Sequence, residues 1–442
     1  MSKELYACIE CGFETPKWMG KCTSCGNWGS LKRVENTNDS KKSKAKKAKL
    51  RKISSFKSNS KARVSTLFQE FDRVLGGGFV EGEVILVGGE PGVGKTSILL
   101  QLLNNIHVSK RECIYISAEE SQEQLSIHAN RLGVSDKLGV ICDDDIDSII
   151  ATLTGKKLSL VILDSIQTVR TSDLKGLPGG VGQVKESTSR IVEYAKKNGV
   201  AVILVGHITK GGELAGPKVI EHIVDAVFYL EGSSDSSVRI LRGVKNRFGS
   251  TREIGVFKFE KGRFSDANNP SEMFILSSSP RVGICKGVVF EGRRAILVEV
   301  QALTSPSTFS IPQRVVSGVR KSKVQMLCAV LSKYTKANFL DKDVYINIAN
   351  GLKINDSSLD LSICIALLSS YFDKTVSPSK VAIGEVSLTG QVYSTGSIQD
   401  KVKALSRLGY KDVLLPKGAQ KGVKRSSKTG FIDSISELIK RI

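Results

Sequence analysis

One segment constrains this chain more than any other. Gly89-Glu90-Pro91-Gly92-Val93-Gly94-Lys95-Thr96 matches the G-x-x-x-x-G-K-[ST] spacing of a P-loop without a mismatch. Glycines at these positions let the backbone turn tightly, so that successive N–H groups converge on anionic phosphates, and a following helix adds the positive end of its dipole. Lys95 is expected to reach the β- and γ-phosphates and Thr96 to offer its hydroxyl to Mg²⁺. The flanks fit. Val84-Ile85-Leu86-Val87 reads as a buried parallel strand, and Ile98, Leu99, Leu102, Leu103 and Ile106 recur at helical spacing. A glycine-rich turn that binds nothing would not need this strand–loop–helix context.

At 442 residues the chain is too long for one ordinary core, and two or three domains are expected. With 40% apolar and 25% charged residues it has the composition of a globular protein. No apolar run approaches the ~18 residues that span a bilayer, and Met1–Phe13 lacks the apolar stretch of a secretory signal, so a cytoplasmic protein with no membrane partner is expected.

The formal net charge is +21, and it is unevenly spread. From Lys32 to Arg63, thirteen cations face only Glu35 and Asp39, a local excess of +11. Such a run cannot pack and reads equally as a solvated linker or as an arm for a polyanion. The excess elsewhere favours nucleic acid.

Nine cysteines are present, and four are patterned. Cys8-x-x-Cys11 and Cys22-x-x-Cys25 have the spacing of a Cys₄ zinc ribbon, whose thiolates complete a tetrahedron and leave no open position for a substrate. A structural Zn²⁺ holding a module too small for its own core is expected. Cys113, Cys142, Cys285, Cys328 and Cys364 stand apart in apolar stretches and read as core filler.

Leu67–Phe79 reads as a short amphipathic helix ended by glycine. Beyond the P-loop helix, Cys113–Ala118 forms a strand with Glu119 and Glu120 at its carboxyl end, where ligands bind in open α/β sheets. Either carboxylate could orient the water that attacks the γ-phosphate, or cap the helix beginning near Ser121; capping suits Glu120 better. Leu160–Asp164 is a strand ending in the aspartate expected to act on Mg²⁺ through its shell. Val200–Val205 is another, closed by Gly206-His207, where His207 could sense the γ-phosphate or simply be satisfied in the structure. Two glycine-bearing segments, Thr168–Gly182 and Thr209–Pro217, read as ligand-touching loops. Lys245-Asn246-Arg247-Phe248-Gly249 suits phosphate contact with base stacking, or an arginine finger for a neighbouring subunit.

Taken together these motifs resemble the bacterial RadA (Sms) family of DNA-repair ATPases over nearly the whole chain. The resemblance rests on the Cys₄ ribbon, the P-loop, Tyr115–Ser121, Leu163–Thr168, Gly206–Lys210 and, most specifically, Lys245–Gly249. It implies an α/β chain with a Cys₄ zinc ribbon (1–30), a basic linker (31–64), a RecA-like P-loop ATPase with a mostly parallel sheet (65–265) and a Lon-protease-like α+β domain (266–442). It further implies ATP, Mg²⁺ and Zn²⁺, and a homohexamer. The activity implied is a DNA-dependent ATPase that moves on single-stranded DNA and drives branch migration of recombination intermediates alongside a RecA-type recombinase. By the same resemblance Glu119 is the catalytic glutamate, His207 the γ-phosphate sensor, the two glycine-bearing loops face the ring channel, and Lys245 and Arg247 of Lys245–Gly249 couple hydrolysis to DNA handling or reach into the adjacent nucleotide site.

In the Lon-like part, Arg294–Val300 and Val381–Val386 read as strands, and Ser322–Tyr334 and Ser358–Phe372 as helices. Laid on the Lon motifs, Ser358 falls at the nucleophile and Lys401 at the base. Yet Asp356-Ser357 stands where Lon has Gly-Pro, and Asp360 where it has glycine. A nearby carboxylate opposes an oxyanion, and Asp360 is expected to pair with Lys401 and keep it charged. A ring-forming scaffold with a DNA-facing basic surface is therefore expected. The alternatives are an ATP-dependent serine protease using Ser358 and Lys401, and a nucleotide-switched partner-binding protein.

Overall fold

The computed structural model describes residues 5–8, 14–23, 26, 28–34, 63–174, 177–207, 219–232, 236–267, 269–292, 294–308, 311–349, 354–423 and 428–441. The segment 209–217, most of the basic linker, Cys11 and Cys25 lie outside the described residues. Residues 1–231, 240–251 and 259–266 form one compact unit, and residues 232–239, 252–258 and 267–442 a second.

At the start of the first unit, β1 (Leu5–Cys8) pairs antiparallel with both β2 (Glu14–Thr15) and β3 (Leu31–Val34). Its small core is Cys8, Cys22 and Leu31, with Tyr6 and Met19 packed against them.

Nine further strands follow: β4 (Val84–Gly89), β5 (Cys113–Ser117), β6 (Gly139–Cys142), β7 (Leu160–Asp164), β8 (Ala201–His207), β9 (Ala226–Glu231), β10 (Val238–Asn246), β11 (Ile254–Glu260) and β12 (Arg263–Asp266). They form one sheet in the order β12-β11-β10-β9-β4-β8-β7-β5-β6. From β9 to β6 every pairing is parallel. The central strands read as unbroken apolar runs because both faces are covered: Val84 to Val87 and Val161 to Leu163 are all fully buried. The helices are α1 (Gln69–Leu75), α2 (Lys95–Val108), α3 (Gln122–Leu132), α4 (Ile146–Leu153), α5 (Val181–Asn198) and α6 (Val219–Ile223).

As expected, α1 ends on a glycine, with Gly76 in the left-handed region. Its other end is capped from far along the chain. Asp266 accepts from Gln69 N at 2.8 Å and Glu70 N at 3.0 Å. Two residues earlier, Phe264 exchanges bonds with the α2 side chain Gln101, its N–H donating at 2.8 Å and its carbonyl accepting at 3.3 Å.

The second unit contains α7 (Pro270–Met273), β13 (Arg281–Val282), β14 (Ile284–Glu291), β15 (Arg294–Pro306), β16 (Arg314–Ser317), α8 (Lys321–Tyr334), β17 (Lys342–Ile348), a 3₁₀ turn at Ser357–Leu359, α9 (Asp360–Phe372), β18 (Thr375–Val376), β19 (Lys380–Ala382), β20 (Glu385–Val386), β21 (Val392–Tyr393), α10 (Ile398–Arg407), β22 (Asp412–Pro416) and β23 (Thr429–Ile432). Seven strands form a mixed sheet, β16-β17-β15-β14-β19-β22-β23. From Asp360 to Ser369 every residue of α9 is buried, so this helix is the centre of the unit's core. The strand expected over Val381–Val386 is two strands in different sheets. The break falls at Gly384, whose N–H donates to Ser358 O at 3.0 Å and where a Cβ would stand 2.7 Å from Val392.

Candidate nucleotide-hydrolysis site

Four parallel strands deliver the chemistry to one end of the first sheet. β4 runs directly into the P-loop, β5 ends before Glu119, β7 ends on Asp164 and β8 ends on His207. Within the loop, Gly92 and Gly94 have φ of 78° and 103°. At Gly94 a Cβ would also stand 2.8 Å from the Phe264 ring, so glycine is required twice over. Gly94 is the N-cap of α2, whose first-turn N–H groups point back at the loop. Between Gly89 and Thr96 the backbone thus forms the concave, N–H-lined cradle a polyphosphate needs.

Lys95 is buried, and its ammonium donates to Gly89 O at 2.8 Å and Glu90 O at 3.2 Å. Burial holds its pKa below the usual lysine range, against the pull of Asp164 and Glu119. Thr96 Oγ1 donates to Asp164 Oδ2 at 2.8 Å, and Tyr115 OH donates to the same oxygen at 2.6 Å. Burial pushes Asp164 above the ordinary aspartate value, with both hydroxyls opposing. One hydroxyl and one carboxylate in contact form an all-oxygen donor set that suits a hard cation such as Mg²⁺.

Glu119 is held by two partners. His207 Nε2 lies 3.0 Å from its Oε1, and Ser165 Oγ donates to the same oxygen. The His207 hydrogen bond is the main reason its pKa falls below the usual value, opposed by burial. Ligand atoms of Glu119, Asp164 and His207 all lie within 4.8 Å of one another. Glu120 points away, with Oε1 3.7 Å from His128 Nδ1. It does not cap α3: Ser121 does, accepting from Gln124 N while Gln124 Oε1 accepts from Ser121 N. Serine is the better cap because its short side chain reaches the third-residue N–H without distortion. Tyr115 and Ser165 lie inside the Tyr115–Ser121 and Leu163–Thr168 motifs, but no role is expected for either from the sequence. Only their positions one strand away and one residue on from the site carboxylates would have pointed to them.

Lys245–Gly249 makes its contacts within the chain. Lys245 Nζ donates to the carbonyls of Glu221 (2.7 Å), His222 (3.3 Å) and Val224 (2.8 Å), closing the end of α6. Asn246 Nδ2 donates to Val74 O at 3.2 Å, and Arg63 donates to the carbonyl of Phe248. Arg247 Nη1 donates to Asp225 Oδ1 at 3.2 Å. Of the five residues, the half-exposed Arg247 and Phe248 are the ones presented outward.

In the second unit, Ser358 is fully buried and its Oγ donates to Val288 O at 3.1 Å. Lys401 is also buried, but its partner is Asp356, at 2.8 Å, and not Asp360. Asp360 pairs instead with Lys323 at 2.7 Å. Asp356 stands where Lon has glycine, so the substitution that departs from the pattern supplies the carboxylate that pairs with the lysine.

Of the ribbon ligands, Cys8 and Cys22 lie together in the module's core. Cys113, Cys285, Cys328 and Cys364 are buried core filler, with thiols pushed up by desolvation.

Three family models match parts of the chain: KaiC ATPase over residues 64–137, rubredoxin metal binding domain over residues 6–33, and subunit ChlI of Mg-chelatase over residues 298–419. The DNA repair protein RadA of Halalkalibacterium halodurans is 41% identical over 422 residues, covering 94% of this chain and 92% of its own. That of Bacillus subtilis is 39% identical, covering 94% and 93%. The chain belongs to the RadA family of DNA repair proteins. As in the RadA pattern, it comprises a zinc ribbon, a RecA-like P-loop ATPase core with a mostly parallel sheet, and a Lon-like α+β domain. Among solved structures, the RadB recombinase covers 46% of this chain and 99% of its own, with a TM-score of 0.36 and 20% identity. No helix among the described residues is long and apolar enough to cross a membrane.

Proposed function

We propose that this chain is a cytoplasmic DNA-dependent ATPase that moves on single-stranded DNA and drives branch migration of recombination intermediates made by a RecA-type recombinase. Its working form would be a homohexamer. The observation that carries the reading is the convergence of Lys95, Thr96 with Asp164, and Glu119 with His207 at one sheet end, in a chain of the RadA family. Residues 89–96 and Lys95 would hold the phosphates of ATP, Thr96 and Asp164 would hold Mg²⁺ and its water shell, and Glu119 would orient the attacking water. His207 bonds to that glutamate and begins the segment toward 209–217, so it would report the state of the γ-phosphate to a DNA-facing loop. Cys8, Cys11, Cys22 and Cys25 would hold one structural Zn²⁺.

Proteolysis is disfavoured because Lys401 is engaged by Asp356 and the Ser358 hydroxyl donates to Val288 O, so nucleophile and base are each bonded elsewhere. The deciding measurement is the ATP hydrolysis rate with and without single-stranded oligonucleotide, on protein whose subunit number has been fixed by mass. Stimulation is expected. A rate indifferent to oligonucleotide would leave the switch reading in its place.

A further inference from the structure

The chain contains only two tryptophans, and both stand on the surface of the zinc-ribbon module. Trp18 is 62% exposed and Trp28 77% exposed. Neither belongs to its core, which is made by Cys8, Cys22 and Leu31 with Tyr6 and Met19. Trp28 lies across Gly20, 3.6 Å from where a Cβ there would sit, and pairs with Lys21 in an isolated antiparallel bridge. The Lys21 ammonium lies 5.7 Å from the Trp28 ring centroid. Two exposed indoles on one small module leave broad flat faces free for stacking.

Lys17 is the sequence neighbour of Trp18 and Lys21 the bridge partner of Trp28; residues 1–30 balance three lysines against three glutamates, and the net +11 run begins just after them, at Lys32. An indole with an ammonium over its ring can take one nucleotide unit, base on ring and phosphate on cation, with the lysine turning from the ring to the phosphate. A duplex hides its base faces, whereas an unpaired strand presents them.

We propose that the ribbon is a second, sequence-tolerant binding site for single-stranded nucleic acid, with Trp28 and Trp18 stacking on bases and Lys21 and its basic neighbours taking phosphates. The site deepens the reading of the chain as a motor on single strands, and its failure can be told apart from the failure of that reading.

Because these are the only tryptophans, the intrinsic emission of the full-length protein reports this module alone. Titration with oligothymidylate, in parallel with the anisotropy of the same oligonucleotide carrying a dye, tests the assignment. Emission is expected to be quenched along the same isotherm as the anisotropy. Trp28→Ala should weaken oligonucleotide binding on the order of ten-fold, and Trp28→Phe should recover most of it, since the ring face is kept. Zinc content equal to wild type shows that each variant keeps the ribbon folded. Binding and ATPase stimulation with emission unmoved, or Trp28→Ala with unchanged affinity, would overturn the proposal and leave the indoles to a protein partner, with the motor reading intact. Absence of both binding and stimulation would overturn the two together.

Discussion

Arg247 and Val84 are joined through a single buried carboxylate. Asp225 Oδ1 accepts from the Arg247 guanidinium at 3.2 Å, while its Oδ2 accepts from Val84 N at 3.1 Å, at the start of the strand that leads into the P-loop. Lys196 reaches the same carboxylate at 3.3 Å. The Lys245–Gly249 segment is therefore wired to the root of the nucleotide site inside one subunit. Truncating Asp225 to alanine leaves the buried Val84 N–H without that acceptor, while the half-exposed Lys196 and Arg247 turn to water, and should destabilise the protein by about 1–3 kcal/mol in urea denaturation. Arg247→Ala should cost less than about 1 kcal/mol, because that arginine is half-exposed and Lys196 remains. Equal costs for the two variants would mean that Asp225 is not the hub.

Replacing Lys95 by alanine removes a phosphate contact and no apolar packing. Turnover of ATP should fall by at least about 10²-fold with little loss of stability. Retained turnover would contradict the assignment of the site.

Glu119→Gln keeps a side chain that Ser165 and His207 can still hold, but removes the charge that orients water. Hydrolysis should fall by roughly 10²–10⁴-fold while fluorescent-nucleotide binding stays near wild type. Lost binding instead would make Glu119 a ligand-holding group.

Glu83 is fully buried just ahead of β4, accepting from Val80 N at 2.9 Å, and desolvation pushes its carboxyl up to about 7. The folded state then holds this proton more tightly than the unfolded chain does. Its contribution is complete below about pH 4.5 and is lost as pH climbs through 7. Glu83→Gln should accordingly be more stable than wild type above pH 7, by roughly 2–3 kcal/mol, and equal to it at acid pH. Thermal melts across that range check it; a constant offset would exclude the titration of Glu83 as the cause.

Asp356→Ala should expose the cost of the buried Lys401 charge as about 3 kcal/mol of lost stability in the second unit. Peptide cleavage should be absent in wild type and in Ser358→Ala alike. Cleavage that disappears with Ser358 would restore the protease reading.

Local signals made much of this legible. The P-loop, its strand and its helix could be read because apolar runs and glycine spacing are dictated within a few residues. So could the strand ends carrying Glu119, Asp164 and His207. What could not be read depends on contacts between distant segments. The hydroxyl of Tyr115 meets Asp164 across neighbouring strands, and Lys401 chooses Asp356 over Asp360 because a turn, not a helix, precedes α9. Lys245 looks like a phosphate ligand from its neighbours, yet three carbonyls of its own subunit occupy its ammonium. Val381–Val386 looks continuous because its composition gives no sign that Gly384 must leave the sheet.

The bonds from Asp266 to α1 and from Phe264 to α2 bind the last strand of the first unit to its first two helices. During synthesis on the ribosome the opening helix must wait, uncapped at its amino end, until almost two hundred further residues have been made. The P-loop core thus closes like a ring binder, and a fragment ending before 263 should expose its P-loop half to proteases that spare one ending just after 266.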